Sequence, residues 1–245
     1  MKKRILAITF LLTIVSNVYA EPYEIKLNEF NSISNFTPFN VVIRFSDRTY
    51  AEIDLKEETG SYLKIRVKDN RLIIDSIKED WWKFWKKISM RGTINVYTQN
   101  FNFQSIENIG TGSLNFSDII NASSLEVNVI GTGSINFDEG GEVLNANVKV
   151  VGTGKVDMKT VNTNVADVAI SGTGSIILNV NEELNVKILG TGNVIYKGHP
   201  KITTKISGTG HLISIWVSIR NKKMYWNETP LAQITPHPNH SSKSP

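Results

Sequence analysis

Apolar and polar residues alternate with period two along most of the chain between residues 25 and 219. Such alternation marks strands that bury one face. After residue 105 the pattern becomes a repeat built on a tripeptide. Its copies are Gly110-Thr111-Gly112, Gly131-Thr132-Gly133, Gly152-Thr153-Gly154, Gly172-Thr173-Gly174, Gly190-Thr191-Gly192 and Gly208-Thr209-Gly210, at intervals of 21, 21, 20, 18 and 18 residues. Apolar columns keep step with it. Four residues before each first glycine stand Ile106, Val127, Val148, Val168, Val186 and Thr204. Two before stand Asn108, Val129, Val150, Ile170, Ile188 and Ile206. Four after stand Leu114, Ile135, Val156, Ile176, Val194 and Leu212, and six after stand Phe116, Phe137, Met158, Leu178, Tyr196 and Ser214.

A near-constant period of this length predicts a solenoid. Each repeat reads as a strand, a Gly-Thr-Gly corner, a second strand and a polar loop (117–124, 138–145 and 159–164), the loops shortening toward the C-terminus. A lone strand pair is marginally stable, but copies stacked ~4.8 Å apart pair every backbone with the rung above and below. The fold class expected is all-β, a right-handed parallel β-helix, the hand following that of parallel crossovers. A third side of each turn would come from the loop or from Leu125, Leu184 and their equivalents. Glycine suits a corner because it reaches angles that a Cβ penalises. The threonines would form a ladder along one edge. A structural ladder is preferred over a water-ordering array, for which a single Thr between glycines is a poor fit.

Residues 21–98 lack the tripeptide but keep the alternation, with strands expected at 25–27, 41–45, 51–55, 62–67, 72–74 and 93–97. They read as irregular first rungs that continue the coil and cap its end; a separate small sandwich is the alternative. The regular solenoid is placed at 99–219, with Trp216 a candidate plug of its far end, and a polar, disordered tail at 220–245.

Residues 1–20 read as a secretory signal peptide, with basic Lys2, Lys3 and Arg4, an apolar run from Ile5 to Val15, and cleavage expected after Ala20. Removing those three cations leaves 24 Lys+Arg against 23 Asp+Glu, a net of +1. Such a balance removes the electrostatic case for nucleic acid. There is no cysteine, so neither disulfides nor a lipid-modified cysteine are available. Export across the inner membrane is expected, to the periplasm or beyond, without a lipoprotein anchor.

Candidate chemistry is sparse. Calcium β-rolls place an Asp in each repeat where this chain has Leu, Ile or Val, and His199, His211, His237 and His240 show no zinc spacing. No metal, cofactor or catalytic residue is therefore expected. Asp118, Asp138 and Asp157 fall out of register from one repeat to the next, so they build no carboxylate pair of the glycosidase kind. The conspicuous segment is an insert at 78–91, in which Trp81, Trp82, Phe84 and Trp85 interleave with Lys83, Lys86 and Lys87. These seven residues are the candidate surface-binding set, with burial of the aromatics against the coil as the plainer alternative. Asn115, Asn128, Asn136, Asn147, Asn179 and Asn185 could bond sugars, though ordinary solvated ladders are preferred. The expected function is non-catalytic binding or adhesion. Its partner would be a glycan, an envelope polymer or a protein, with peripheral membrane contact a further option. The alternatives are a β-helix polysaccharide-active enzyme and a purely structural envelope protein.

The chain also resembles the bacterial head-GIN domain family, the autotransporter adhesin heads. The resemblance rests on Phe30-Asn31-Ser32-Ile33, Val41-Val42-Ile43, Leu72-Ile73-Ile74 and Ile94-Asn95-Val96-Tyr97. It rests further on the corner segments Gly112-Ser113-Leu114-Asn115 and Gly133-Ser134-Ile135-Asn136. It implies a right-handed parallel β-helix in an exported bacterial protein, and no particular reaction. Members often carry a lipoprotein signal, which this cysteine-free chain lacks, and no membrane translocator is expected after the coil.

Overall fold

A computed structural model describes residues 23–55, 63–76, 92–216 and 225–227. The described strands belong to one hydrogen-bonded sheet that winds into a β-solenoid. In the repeat region β10 (Ile120–Gly131), β12 (Gly141–Gly152), β13 (Lys155–Gly172) and β14 (Ser175–Gly190) lie parallel in that order. β14 is followed by β15 (Asn193–Lys197) and β16 (Lys201–Gly208), and β15 by β17 (His211–Trp216). Corner stands on corner: Gly131 pairs with Gly152, Gly152 with Gly172, Gly172 with Gly190, and Gly190 with Gly208. The solenoid read from the repeat is the fold observed.

Each turn has three sides. One precedes the Gly-Thr-Gly corner and one follows it. The third comes from stretches read as polar loops, which are strands instead: Ile120, Ala122, Val143, Val161 and Val180 point inward and are buried. The predicted columns fill the interior, from Ile106 to Val186 and from Leu114 to Val194. Asn108, in the column next to the corner, is buried with them. In the last rung Thr204, Ile206 and Leu212 are only half-buried, because no further full rung covers them among the described residues. The repeat shortens at the third side. Between Met158 and Asn162 the partner strand advances by one residue only, from Leu178 to Asn179, so the coil narrows there.

Rung order departs from chain order at the N-terminal end. β2 (Ser32–Asn35) lies between β6 (Arg71–Ser76) and β8 (Ser105–Asn108). β3 (Asn40–Phe45) lies between β7 (Gly92–Thr98) and β9 (Ser113–Phe116). The outermost rung is therefore the later segment, and the earlier one is slotted beneath it. Antiparallel strands finish this end: β5 (Leu63–Lys68) pairs with β6, while β4 (Tyr50–Leu55) pairs with β7 and carries β1 (Tyr23–Lys26). At the other end β18 (Tyr225–Asn227) pairs antiparallel with β17.

Two polar devices hold the slotted rung. Asn35 and Asn108 are fully buried at the corner. Asn35 Nδ2 donates to Asn108 Oδ1 at 3.0 Å, and Asn108 Nδ2 donates to the carbonyls of Gly112 and Ser134 at 2.8 and 3.1 Å. On the outer surface Arg71 reaches across β2. It donates to Ser34 Oγ at 2.9 Å and to Glu107 Oε2 at 3.1 Å, and Ser34 Oγ donates to the same carboxylate at 2.7 Å.

Candidate functional site

The corners are steric as well as conformational. Gly152 has φ +113°, and a Cβ there would stand 2.5 Å from the Gly131 carbonyl oxygen. Gly174 needs no positive φ. Its Cβ would instead stand 2.5 Å from Val150 Cγ1 and 2.6 Å from the Gly154 oxygen. Between the glycines, Thr153, Thr173 and Thr191 bind the rung below through their backbone. Thr153 N and Thr173 N donate at 2.9 Å to the oxygens of Gly131 and Gly152. All six threonine side chains are exposed on one edge. These residues build the coil and leave ligand chemistry to the sides.

The side before the corner carries lysines. Lys149, Lys187 and Lys205 share a column in which Ala169 takes one place. The missing side chain leaves a shallow depression of about 290 Å³, edged also by Asn147, Asp167, Asn185 and Thr203. Asn185 Nδ2 donates to Asp167 Oδ1 at 3.0 Å and to Glu183 Oε1 at 3.1 Å, so part of the polar rim is engaged with itself.

The side after the corner carries an amide ladder. Asn136 Nδ2 donates to Asn115 Oδ1 at 2.8 Å, Asn115 to Ser113 Oγ at 3.0 Å, and Ser113 to Asn40 Oδ1 at 2.8 Å. Asn179 donates to Asn162 at 2.6 Å, and Asn128 to Glu126 at 2.9 Å. The asparagines considered for sugar binding thus mostly bind one another or adjacent side chains. At the far end of this side Tyr97 stacks on Tyr50, centroids 4.5 Å apart, and its hydroxyl donates to Glu52 at 3.1 Å. Burial, aided by Glu52, pushes the Tyr97 hydroxyl above its ordinary pKa.

A larger cleft of about 500 Å³ opens between this side and the third. It is lined by Phe45, Gln99, Asn100, Phe101, Asn102, Asp118, Ile119 and Asn121. Alternation puts Phe45 in phase with the inward-facing Val41 and Ile43, yet it is 60% exposed, and Ile119 is 59% exposed. Phe101 stands 6.3 Å from Phe45 and 5.7 Å from the buried Phe103, which meets Phe116 at 5.2 Å. An aromatic run thus leads from the surface into the core. Sequence reading passed over this cleft, although two signals bear on it. Ile119 and Ile120 are adjacent, and period two can bury only one of them. Phe45 closes a strand at a corner, where the inward phase ends.

Two carboxylates of the repeats are structurally engaged. Asp118 Oδ2 accepts from Phe45 N at 2.9 Å, and Asp157 accepts from Lys155 and Lys159 at 3.1 and 3.4 Å. Among the described residues no group of three His, Cys, Asp or Glu could hold a metal ion. Trp81, Trp82, Lys83, Phe84, Trp85, Lys86 and Lys87 lie outside the described residues, as do residues 1–20, the Trp216 side chain and most of the C-terminal tail. The described strands on either side of the insert are β6, which closes at Ser76, and β7, which opens at Gly92.

Three strand-built sides, stacked corners and an open cleft define a repeat-built β-solenoid. The chain belongs to the family described as "Putative auto-transporter adhesin, head GIN domain", whose model matches residues 29–200. That description goes with an extracellular or envelope protein. Among solved structures, the chain is similar to a "putative adhesin" of Bacteroides fragilis NCTC 9343. The TM-score is 0.64 at 21% identity, covering 80% of this chain and 96% of that one. It is also similar to a "Putative lipid binding protein" of Parabacteroides distasonis ATCC 8503, with TM-score 0.50 and 20% identity over 80% and 96% of the two chains. At these identities the likeness speaks for the fold. No curated protein matches the chain.

Proposed function

We propose that this protein is an exported, non-catalytic binding protein of adhesion type in the bacterial envelope. The observation that carries the reading is the cleft at Phe45, where exposed apolar side chains and hydrogen-bonding groups sit together on rigid rungs. Exposed apolar surface among polar groups marks interaction sites. Engagement of Asp118 and Asp157 by neighbouring backbone and lysines further supports a non-catalytic role. Export rests on residues 1–20, with cleavage after Ala20 and release without a lipid anchor. N-terminal sequencing of protein recovered from periplasm or medium should begin at Glu21.

The direct test is binding of the mature chain to a glycan array, to whole cells and to lipid vesicles. Retention on at least one of these supports the reading, and retention on none removes it. The Trp/Lys insert is proposed as a second contact. Replacing Trp81, Trp82 and Trp85 together with Ala is expected to weaken binding about tenfold or more, as loss of aromatic anchors does. Unchanged binding by that variant takes the insert out of the site. Turnover of pectin-like or peptidoglycan polymers by the purified chain would favour an enzyme instead.

A further inference from the structure

The cleft at Phe45 contains enough free chemistry to specify its occupant. Several of its polar groups are half spent. Gln99 Nε2 donates to the Asp47 carbonyl, which leaves Gln99 Oε1 as an acceptor. Asp118 uses Oδ2 on Phe45 N, which leaves Oδ1. Asn121 Oδ1 accepts from Glu142 N at 3.1 Å, which leaves its amide N–H groups as donors. Asn102 is exposed, and among the described residues nothing engages its side chain. Asn100 is committed to the loop itself, with Nδ2 on the Phe30 carbonyl at 3.3 Å and Oδ1 on Asn102 N at 2.8 Å.

These groups surround an apolar wall of Phe45, Phe101 and Ile119. The wall is anchored, since Phe101 packs edge-on against buried Phe103. A flat apolar ring beside planar amide and carboxylate groups suits a ligand with one C–H face and a rim of hydroxyls. Amides both donate and accept, and a carboxylate accepts two bonds, which matches paired hydroxyls. The charge narrows the class. Among the described residues Asp118 is the one charged residue lining the cleft, and no Lys or Arg lines it. An anionic sugar, a phosphate or a nucleic acid would meet uncompensated repulsion there. An extended peptide would seek a free strand edge, but β3 is paired on both edges, by β7 and β9.

We propose that this cleft binds a neutral pyranose unit of a glycan chain. The ring stacks on Phe45 and its hydroxyls bond Gln99, Asn102, Asp118 and Asn121. The volume lies within the roughly 300–1,000 Å³ of ordinary ligand sites, and the cleft is open to solvent. The proposal rests on the adhesion reading and names the ligand class for it.

The test uses the mature chain and isothermal titration with cellotetraose, maltotetraose, xylotetraose and chitotetraose, with tetragalacturonate as the acidic contrast. At least one neutral tetrasaccharide should bind and tetragalacturonate should not. Phe45→Ala should weaken that binding about tenfold, and Phe45→Trp should retain it. Asn102→Ala should weaken it several-fold, while Lys187→Ala, in the depression on the other side, should leave it unchanged. Phe45 and Asn102 are exposed, so melting curves of all variants should overlay that of the parent chain. Preference for the acidic sugar, failure of all four neutral sugars, or unchanged affinity of Phe45→Ala and Asn102→Ala would each overturn the proposal. If the mature chain holds to cells or arrays while Phe45→Ala binds equally well, the cleft is wrong and the adhesion reading stands. If it holds to no glycan, cell or vesicle, both fall.

Discussion

At the scale of single residues, two glycines with nearly the same backbone separate conformation from space. Gly131 and Gly152 have φ +114° and +113°. A Cβ at Gly131 would meet nothing nearer than the Gly110 oxygen at 3.4 Å, whereas at Gly152 it would stand 2.5 Å from the Gly131 oxygen. Gly131→Ala should therefore cost about 1–2 kcal/mol, the strain of an L-residue at positive φ. Gly152→Ala should cost a further ~1–3 kcal/mol for overpacking against backbone that cannot yield. Urea midpoints of the two variants check the difference, and equal midpoints would mean that conformation alone selects glycine here. Asn108 is the second residue-scale test. Its amide satisfies two carbonyls and Asn35 inside the coil. Asn108→Ala should lose about 1–3 kcal/mol, because the buried carbonyl groups keep their desolvation cost without the bond.

At the scale of elements, the slotted strand β2 is the notable case. All four of its residues, Ser32 to Asn35, are buried, yet only Ile33 is apolar. Its polar side chains are acceptable there because Arg71, Glu107, Asn31 and Asn108 engage them. Arg71 ties three rungs together with one guanidinium, through Ser34 on β2 and Glu107 on β8. Both members of the ion pair keep about a third of their exposure, at 33% and 29%, so solvent screens it. Arg71→Ala should cost about 1 kcal/mol, near the top of the range for surface pairs because the bonds form a network. A double-mutant cycle with Glu107→Ala should return a coupling of about 0.5 kcal/mol or more, as for residues in one network. Strict additivity would show that the network adds nothing.

At the scale of the whole molecule, stability and solubility depend on the two ends. A parallel stack presents an open edge at its terminal rungs, and such edges recruit further strands. The N-terminal end is closed by the antiparallel strands β5, β4 and β1. At the C-terminal end β18 covers β17, with Trp226 opposite Ile215, while β16 has no further described strand beside it. Trp226→Pro removes an N–H from the covering strand and disfavours pairing. It should increase self-association, seen by light scattering behind size-exclusion chromatography. A variant as monodisperse as the parent would assign end protection to other residues.

The sequence by itself determined the coil. Its apolar columns and glycine corners recur every 18 to 21 residues, so each rung carries the same local instruction and the repeats state it six times. Membership of the head-GIN family was legible for the same reason, since its motifs are the corners and their strands. Tertiary structure decided what lies outside that repetition. The order of the first rungs depends on pairings between residues 73 apart, such as Ser34 with Glu107, and alternation says which face a strand buries but not which strand it joins. The third side read as loops because Asn121, Ser123 and Ser124 outnumber the inward Ile120 and Ala122. Burial of Asn108 required Asn35 to arrive from another rung. The cleft at Phe45 exists because three separate segments, ending β3, following β7 and leaving β9, meet at one corner. Period and corner chemistry are local and survive in one dimension; neighbours distant in the chain acquire meaning only when the rungs are stacked.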